Sequence, residues 1–304
     1  MPENASMTWI LDDHDLELNH PDKILWPDDG ITREDLLAYY RDIAPVMLPH
    51  LADRPVTLRT YPEGIDGSSF YKRDLPDTAP SWLRSVDYTG QSTTRTIQVP
   101  LIDNSAGLVW FANAGTIEFH GWTACAPYLD QPDQAIFDLD PGDSATFADV
   151  LRAALLVREA LAEDGVHGYP KTSGRQGMHV HVPLERGASY PAVRTWVKGI
   201  AERLEARHDG AIAVARGATH RGESVTIDYA QNSIARNTAS PYTVRAAPGA
   251  TVAAPLRWQE VEEGVVRPGD FTLRTMRERI ATHGDLLAPV LQGGQQLPLE
   301  NGAL

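Results

Sequence analysis

Cysteine is almost missing from this 304-residue chain, where Cys125 stands alone. A single thiol makes no intramolecular disulfide and rules out a Cys-rich zinc site. Long apolar runs are missing as well. No stretch approaches the roughly 18 residues that cross a bilayer. The opening MPENASMTWILDDHD has neither the basic nor the apolar region of a secretion signal. Bases are in short supply, with 27 Lys and Arg against 41 Asp and Glu and a formal net charge of −14. That balance argues against a protein that coats nucleic acid by bulk charge. It leaves room for a nucleic-acid enzyme that gathers its Lys and Arg in one groove while divalent ions offset an acidic site. No Walker A loop is present, and no repeat or low-complexity linker divides the chain. What is there has globular proportions, 42% apolar and 22% charged, which exclude wholesale disorder and a fibrous fold. The expectation is a soluble cytoplasmic protein with no membrane partner.

Residues 1–15 and 291–304 are expected to be flexible ends around one unit over 16–290. Thr32 followed by Asp35 predicts a helix start, continued by Leu36, Tyr40, Ile43 and Met47, with Pro45 a kink or an end. Residues 53–62 and 96–112 read as strand-rich. Ser144 is expected to cap a second helix that buries Phe147, Val150, Leu151, Ala154, Leu155 and Leu161. Pro191 suits the first turn of a third, with Val193, Trp196, Val197, Ile200 and Leu204 at the amphipathic period. A last helix is expected over 272–283, stopped by Gly284. Strands and helices do not alternate steadily, which favours an α+β fold on largely antiparallel sheet.

Three segments carry chemistry. In QAIFDLDPGD, Asp138 and Asp140 are two apart, so on a strand they share a face while Phe137 and Leu139 point into the core. Carboxylates about 6–7 Å apart on one strand face can converge on a hard divalent cation. An acidic strand end solvated beside a Pro-Gly turn is the plainer alternative. Asp228 ends the apolar strand ESVTID and offers a third carboxylate. With it, two ions about 3.5–4 Å apart could be held for in-line phosphoryl transfer. In KTSGRQGMHVHVPL, a Gly-permitted turn precedes a strand that puts His179 and His181 on one face. Its N–H groups could form an anion nest, with Ser173 and His179 reaching the same phosphates. A hairpin with half-buried histidines, or an H-x-H zinc pair, competes, but no further nearby ligand supports zinc.

FDLDPGD, then KTSGxxGxH, then an apolar strand ending in Asp with QNS behind it, resembles the archaeo-eukaryotic primase-polymerase superfamily. More narrowly, it is similar to the polymerase domain of bacterial ATP-dependent DNA ligase D. The resemblance runs from about Leu18 to Leu287. With no ligase motif K-x-D-G in the sequence, it implies a stand-alone form. It implies a primase-polymerase fold: an RRM-like catalytic antiparallel sheet with an additional N-terminal α/β region, packed into one compact unit. By this resemblance Asp138, Asp140 and Asp228 are catalytic and hold two ions, Mn²⁺ or Mg²⁺. Ser173, Gln176, Gly177, His179, His120, Gln231 and Arg245 are implied nucleotide contacts. Lys23 and Arg33 match positions that meet a DNA 5′-phosphate, Phe70 and Tyr71 an aromatic pair that stacks on template bases, and Arg59 and Arg73 basic residues near the active site and template. Gln176 stands where relatives often carry Lys, and Arg33 and Arg59 replace Lys. The implied activity is template-dependent nucleotidyl transfer with a preference for ribonucleotides, filling gaps or extending primer ends in end joining or excision repair. Implied partners are gapped or broken DNA with a 5′-phosphate, nucleoside triphosphates, Ku and a separate ligase, for a monomer at the bacterial nucleoid. An end-bridging module and a metal-dependent nucleotide hydrolase are the competing functions.

Overall fold

Local sequence signals open the chain. Met7–Leu11 (β1) pairs with His14–Leu18 (β2), and Ile24–Trp26 (β3) with Ile31–Thr32 (β4). The computed structural model describes residues 7–90, 93–215 and 222–298. The N-terminal stretch expected to fray is therefore a hairpin from Met7 onward, and residues 1–6 lie outside the described residues. Leu16 and Leu18 are buried, and that burial ties the hairpin down.

Thr32 caps α1 (Arg33–Met47) in a capping box: its hydroxyl accepts from the Asp35 N–H, and its own N–H donates to Asp35 Oδ2 at 2.8 Å. Such a cap stabilises a helix by about 1 kcal/mol. Pro45 neither ends α1 nor stops its burial, since it lies one turn from the end, where its missing N–H removes a single bond. Next come β5 (Val56–Thr60), β6 (Phe70–Lys72), and the paired β7 (Arg84–Thr89) and β8 (Thr96–Leu101). Residues 105–112, expected as strand-rich, lie instead in a helix, α2 (Ser105–Asn113), capped by Asn104. It is apolar on nearly every side, so no amphipathic period marks it. Then follow β9 (Thr116–Gly121), β10 (Gln134–Pro141), α3 (Phe147–Glu163), β11 (Tyr169–Thr172), β12 (Met178–Pro183), α4 (Tyr190–Arg207), β13 (Ile212–Val214), β14 (Val225–Asp228), β15 (Thr238–Ala239), α5 (Trp258–Glu263) and α6 (Met276–His283).

The cap of α3 is Thr146 rather than Ser144; with Asp149 it forms the second capping box, which Ser144 is too far from to make. Pro191 lies in the first turn of α4 as expected, behind the N-cap Ser189, and Gly284 ends α6. The C-terminal segment expected to be loose is held as far as it is described. The Gln295 N–H and side-chain amide both donate to Pro183 O, and the same side chain pairs with the N–H and C=O of His167.

Two sheets position the site. The five-stranded one runs β11-β12-β10-β14-β13, antiparallel except where β13 joins β14. The four-stranded one runs β15-β9-β5-β6. Helices α3 and α4 pack on one face of the larger sheet, against β10. Phe137, Leu139, Val180, Val225 and Ile227 are fully buried there with Val157, Val197 and Leu161. Each such side chain contributes about 1.5–3 kcal/mol by leaving water. Period-two alternation turns the intervening residues of the same strands to the opposite face.

Candidate active site between the two sheets

The central strand β10 places the first carboxylates. Asp138 lies between two strands, with His179 of β12 its partner on one side and Asp228 of β14 on the other. Asp140 follows on the same face, opposite Thr226. The D-x-D spacing and the distant Asp228 are thus brought together by sheet register. Asp228 Oδ1 accepts from the Ala230 N–H at 2.9 Å, and Oδ2 faces Gln231 Nε2 at 3.3 Å.

A buried chain of groups reaches Asp138 from behind. His179 Nε2 is 3.2 Å from Asp138 Oδ1, and its Nδ1 is 3.0 Å from Lys171 Nζ. Burial, reinforced by Lys171 and Arg245, pushes the His179 imidazole well below its ordinary pKa. Burial likewise lowers the Lys171 ammonium, with Arg245 adding to it. A neutral imidazole in this position donates from Nε2 to Asp138 and accepts at Nδ1 from Lys171. His181, on the same strand face, is not among the residues that line the cleft, and its Nδ1 lies 3.0 Å from Gln134 Oε1.

The Ser-Gly turn forms the next wall. Ser173 Oγ accepts from the Gly177 N–H at 3.2 Å and the Arg175 N–H at 3.3 Å. Gly174 has φ +71°, and a Cβ there would meet the Ala253 nitrogen at 2.9 Å. At Gly177 a Cβ would lie 2.3 Å from the Leu139 carbonyl oxygen, so only glycine lets the turn sit against β10. Arg245 Nη1 donates to the Ser173 carbonyl and braces the turn from outside.

The smaller sheet supplies charge. Glu118 and His120 lie two apart on β9, and Glu118 is fully buried. Its Oε1 accepts from Arg175 Nη2 at 3.1 Å, the Tyr61 hydroxyl at 3.3 Å and the Ala246 N–H at 3.1 Å. Its Oε2 lies 3.0 Å from His120 Nε2, 3.3 Å from Arg245 Nε and 3.8 Å from Arg59 Nη1. Burial opposes its ionisation, but the His120 hydrogen bond and the arginine charges outweigh burial and hold the carboxyl far below the usual range. Burial lowers His120 against the pull of Glu118, leaving it neutral.

These walls enclose a cleft of about 450 Å³ lined by Tyr71, His120, Asp138, Asp140, Ser173, Arg175, Gln176, Gly177, His179 and Arg245. Most of the residues expected at a nucleotide site therefore meet in one place. Asp228 and Gln231 are not in its lining, although Asp228 pairs with Asp138 in the sheet. Phe70 and Tyr71 are half exposed on the edge strand β6, so they are not core, and Tyr71 packs edge-on to His120. Arg59 lies over the Tyr61 and Tyr71 rings, each 5.3 Å away. Arg73 lines a second cavity, of about 590 Å³, together with Arg95 and Arg236. Lys23 is paired with Glu63 at 2.7 Å and Pro62 O at 2.8 Å. Arg33 is buried rather than solvated, its guanidinium donating to Asn19 O. Glu118, Arg175 and Lys171 were not singled out by sequence. The E-x-H alternation of IEFHGW and the KTSG lysine were the available signals.

Among the described residues, no three His, Cys, Asp or Glu side chains close into a ready metal cage. The donors are hard carboxylate oxygens on one open sheet face. That suits ions which bind one or two carboxylates and take substrate phosphates and water as their other ligands. The residues present therefore fit Mg²⁺ or Mn²⁺. No helix among the described residues is long and apolar enough to cross a membrane.

Comparison with known proteins points to one family. The family model described as LigD, primase-polymerase domain, matches residues 32–287. The multifunctional non-homologous end joining protein LigD of Mycolicibacterium smegmatis is 34% identical over 277 residues, covering 90% of this chain and 36% of the relative. The bifunctional LigD of Bacillus subtilis is 29% identical over 289 residues, covering 93% of this chain and 45% of the relative. This chain thus spans less than half the length of these curated relatives. The polymerase domain of Mycobacterium tuberculosis ligase D, solved in complex with DNA, superposes with a TM-score of 0.85 at 32% identity, covering 92% of this chain and 99% of that one. The chain belongs to the LigD primase-polymerase domain family.

Proposed function

We propose that this chain is a template-dependent nucleotidyltransferase that fills gaps or extends primer ends during DNA repair, with ribonucleotides preferred. The observation that carries the reading is the placement of Asp138 and Asp140 on one wall of a cleft whose other walls carry Ser173, His179, Arg175 and Arg245. An acidic wall facing a basic one is what transfer of a triphosphate's α-phosphate to a 3′-hydroxyl requires, since catalysis there is positioning plus charge stabilisation. The match to a polymerase domain solved with DNA supports a DNA substrate.

Asp138 and Asp140, with Asp228 beside them, would hold the divalent ions. When bound, Mn²⁺ or Mg²⁺ would activate the primer hydroxyl and neutralise charge on the reacting phosphate. Ser173, Gln176 and the Gly177 turn would cradle the triphosphate, with Arg175 and Arg245 reaching the phosphates that leave as pyrophosphate. His179 orients Asp138 through its Nε2–H. Phe70 and Tyr71, being exposed, would stack on template bases, with Arg59 and Arg73 on the backbone. Lys23 would meet a 5′-phosphate by exchanging Glu63 for it. Ku and a separate ligase are the proposed protein partners, and the protein is proposed to act as a monomer at the nucleoid.

The test is extension of a 5′-phosphorylated gapped DNA with Mn²⁺ and ribo- or deoxyribonucleotides, beside an Asp138→Ala/Asp140→Ala variant. Templated extension by the wild type alone, faster with ribonucleotides, is expected. Equal gap binding by both proteins with extension by neither would overturn the reading in favour of an end-bridging role. Release of inorganic phosphate instead of pyrophosphate would replace it with a hydrolase.

A further inference from the structure

The basic wall contains a group that its chemistry does not at first call for. A phosphate-binding cluster needs cations, yet Glu118 sits at its centre, fully buried, on the same strand as His120. Isolated buried carboxylates are costly and persist only when paired. Here three guanidiniums surround one carboxylate, with contacts from 3.1 to 3.8 Å. The carboxylate does not saturate them. Arg245 Nε is close enough to Glu118 for an ion pair, but it is buried without a hydrogen-bond acceptor. Arg175 is 42% exposed at the cleft and Arg59 23%, so both can swing toward a ligand while Arg245 stays buried.

We infer that Glu118 is a positioning residue, an internal counter-ion that stands in for phosphate at the empty site and competes with pyrophosphate for the same arginines. The inference rests on the nucleotide reading of this cleft. With the site empty, Glu118 keeps Arg175, Arg245 and His120 in place without a disordered, mutually repelling cluster. With a triphosphate bound, the exposed ends of Arg175 and Arg59 turn to the ligand's oxygens, while Arg245 stays in place against Glu118. After transfer, the resident carboxylate lowers the net attraction for pyrophosphate and favours its departure. It touches neither substrate nor the reacting atoms, and acts through its partners.

The test measures binding as well as turnover. Inorganic pyrophosphate, with and without Mg²⁺, is titrated into wild-type protein and Glu118→Gln, followed by calorimetry and by thermal melting. Glu118→Gln should melt lower when empty yet bind pyrophosphate roughly tenfold more tightly, because one opposing charge a few ångströms from the ligand is gone. Pyrophosphate should then raise its melting temperature more than that of the wild type and inhibit extension at correspondingly lower concentration. Glu118→Asp keeps the charge but withdraws it by one methylene. It should tighten binding about twofold to threefold, which keeps the question open to decision if the amide variant does not fold. A purely structural Glu118 would lower the melting temperature with pyrophosphate binding unchanged or weaker in both variants, and that result overturns the inference. Wild-type protein that binds neither pyrophosphate nor nucleotide would overturn the nucleotide reading itself. Normal extension with no tightening would sink the counter-ion role alone.

Discussion

The two walls of the cleft solve opposite electrostatic problems by different means. On β10 and β14, acids are gathered by strand alternation and register alone, on the face of a sheet opposite the one packed with Phe137, Leu139 and Ile227. On β9, three arginines converge from separate parts of the chain onto one buried carboxylate, beside the neutral His120. The acidic wall is assembled by register, with Asp138 held by His179, and under the proposed function a divalent ion would offset its charge. The basic wall is already neutralised in part from within. Substitutions on the first should therefore touch function and spare stability, whereas those on the second should touch both.

The sharpest test of that contrast is Asp138→Asn. Templated extension should fall by about 10²–10³-fold, on the scale seen when a single electrostatic transition-state contact is removed. The melting temperature should hold or rise, since like charges are separated. A clear loss of stability would break the comparison. Arg245→Met is next. Extension should drop about 10–100-fold, the equivalent of one charge-assisted hydrogen bond, and stability should fall by about 3 kcal/mol because buried partners lose their cation. An unchanged melting curve would show that Arg245 is as dispensable to the fold as the aspartates. Phe70→Ala should weaken template-primer binding by about 1–3 kcal/mol with no stability cost, because the ring is 50% exposed. Filter binding and melting together decide it.

The smallest effect is in pH. Glu118 ionises at lower pH folded than unfolded, burial being outweighed by His120 and the arginines. A depressed acid contributes stability that is present above the ordinary carboxylate range and is lost as pH falls through its folded value. The stability gap between wild type and Glu118→Gln should thus be full near neutrality and shrink progressively once pH falls below the ordinary carboxylate range. A gap that closes already between pH 7 and 5 would contradict the assignment.

The acidic wall was legible in the sequence because its signal is local. Asp138 and Asp140 sit two apart on a strand flagged by Phe137 and Leu139, and Asp228 ends a run of alternating apolar residues. The amphipathic helices α3 and α4 were legible for the same reason, although the cap moved from Ser144 to Thr146, where Asp149 completes the box. Helix α2 was not, because full burial erased the period that marks a helix. Glu118 was not, because nothing near it in sequence says that Arg59, Arg175 and Arg245 will arrive. Arg33 shows the same limit from the other side: its basic side chain reads as surface, and the fold buries it. Gly177 was chosen for a turn, but its stricter reason is the approach of the Leu139 carbonyl, which only the packed sheet reveals.

The pairing of Asp138 with both His179 and Asp228 also sets an order of events for a chain leaving the ribosome. The first two aspartates emerge long before β14 exists, and their strand cannot acquire its second neighbour until Asp228 has been made. Until then Asp138 has a neighbouring strand on one side only. A truncated or stalled product ending before β14 would carry the D-x-D motif without its second flanking strand, so the complete arrangement around Asp138 arrives late, as a property of the nearly finished chain.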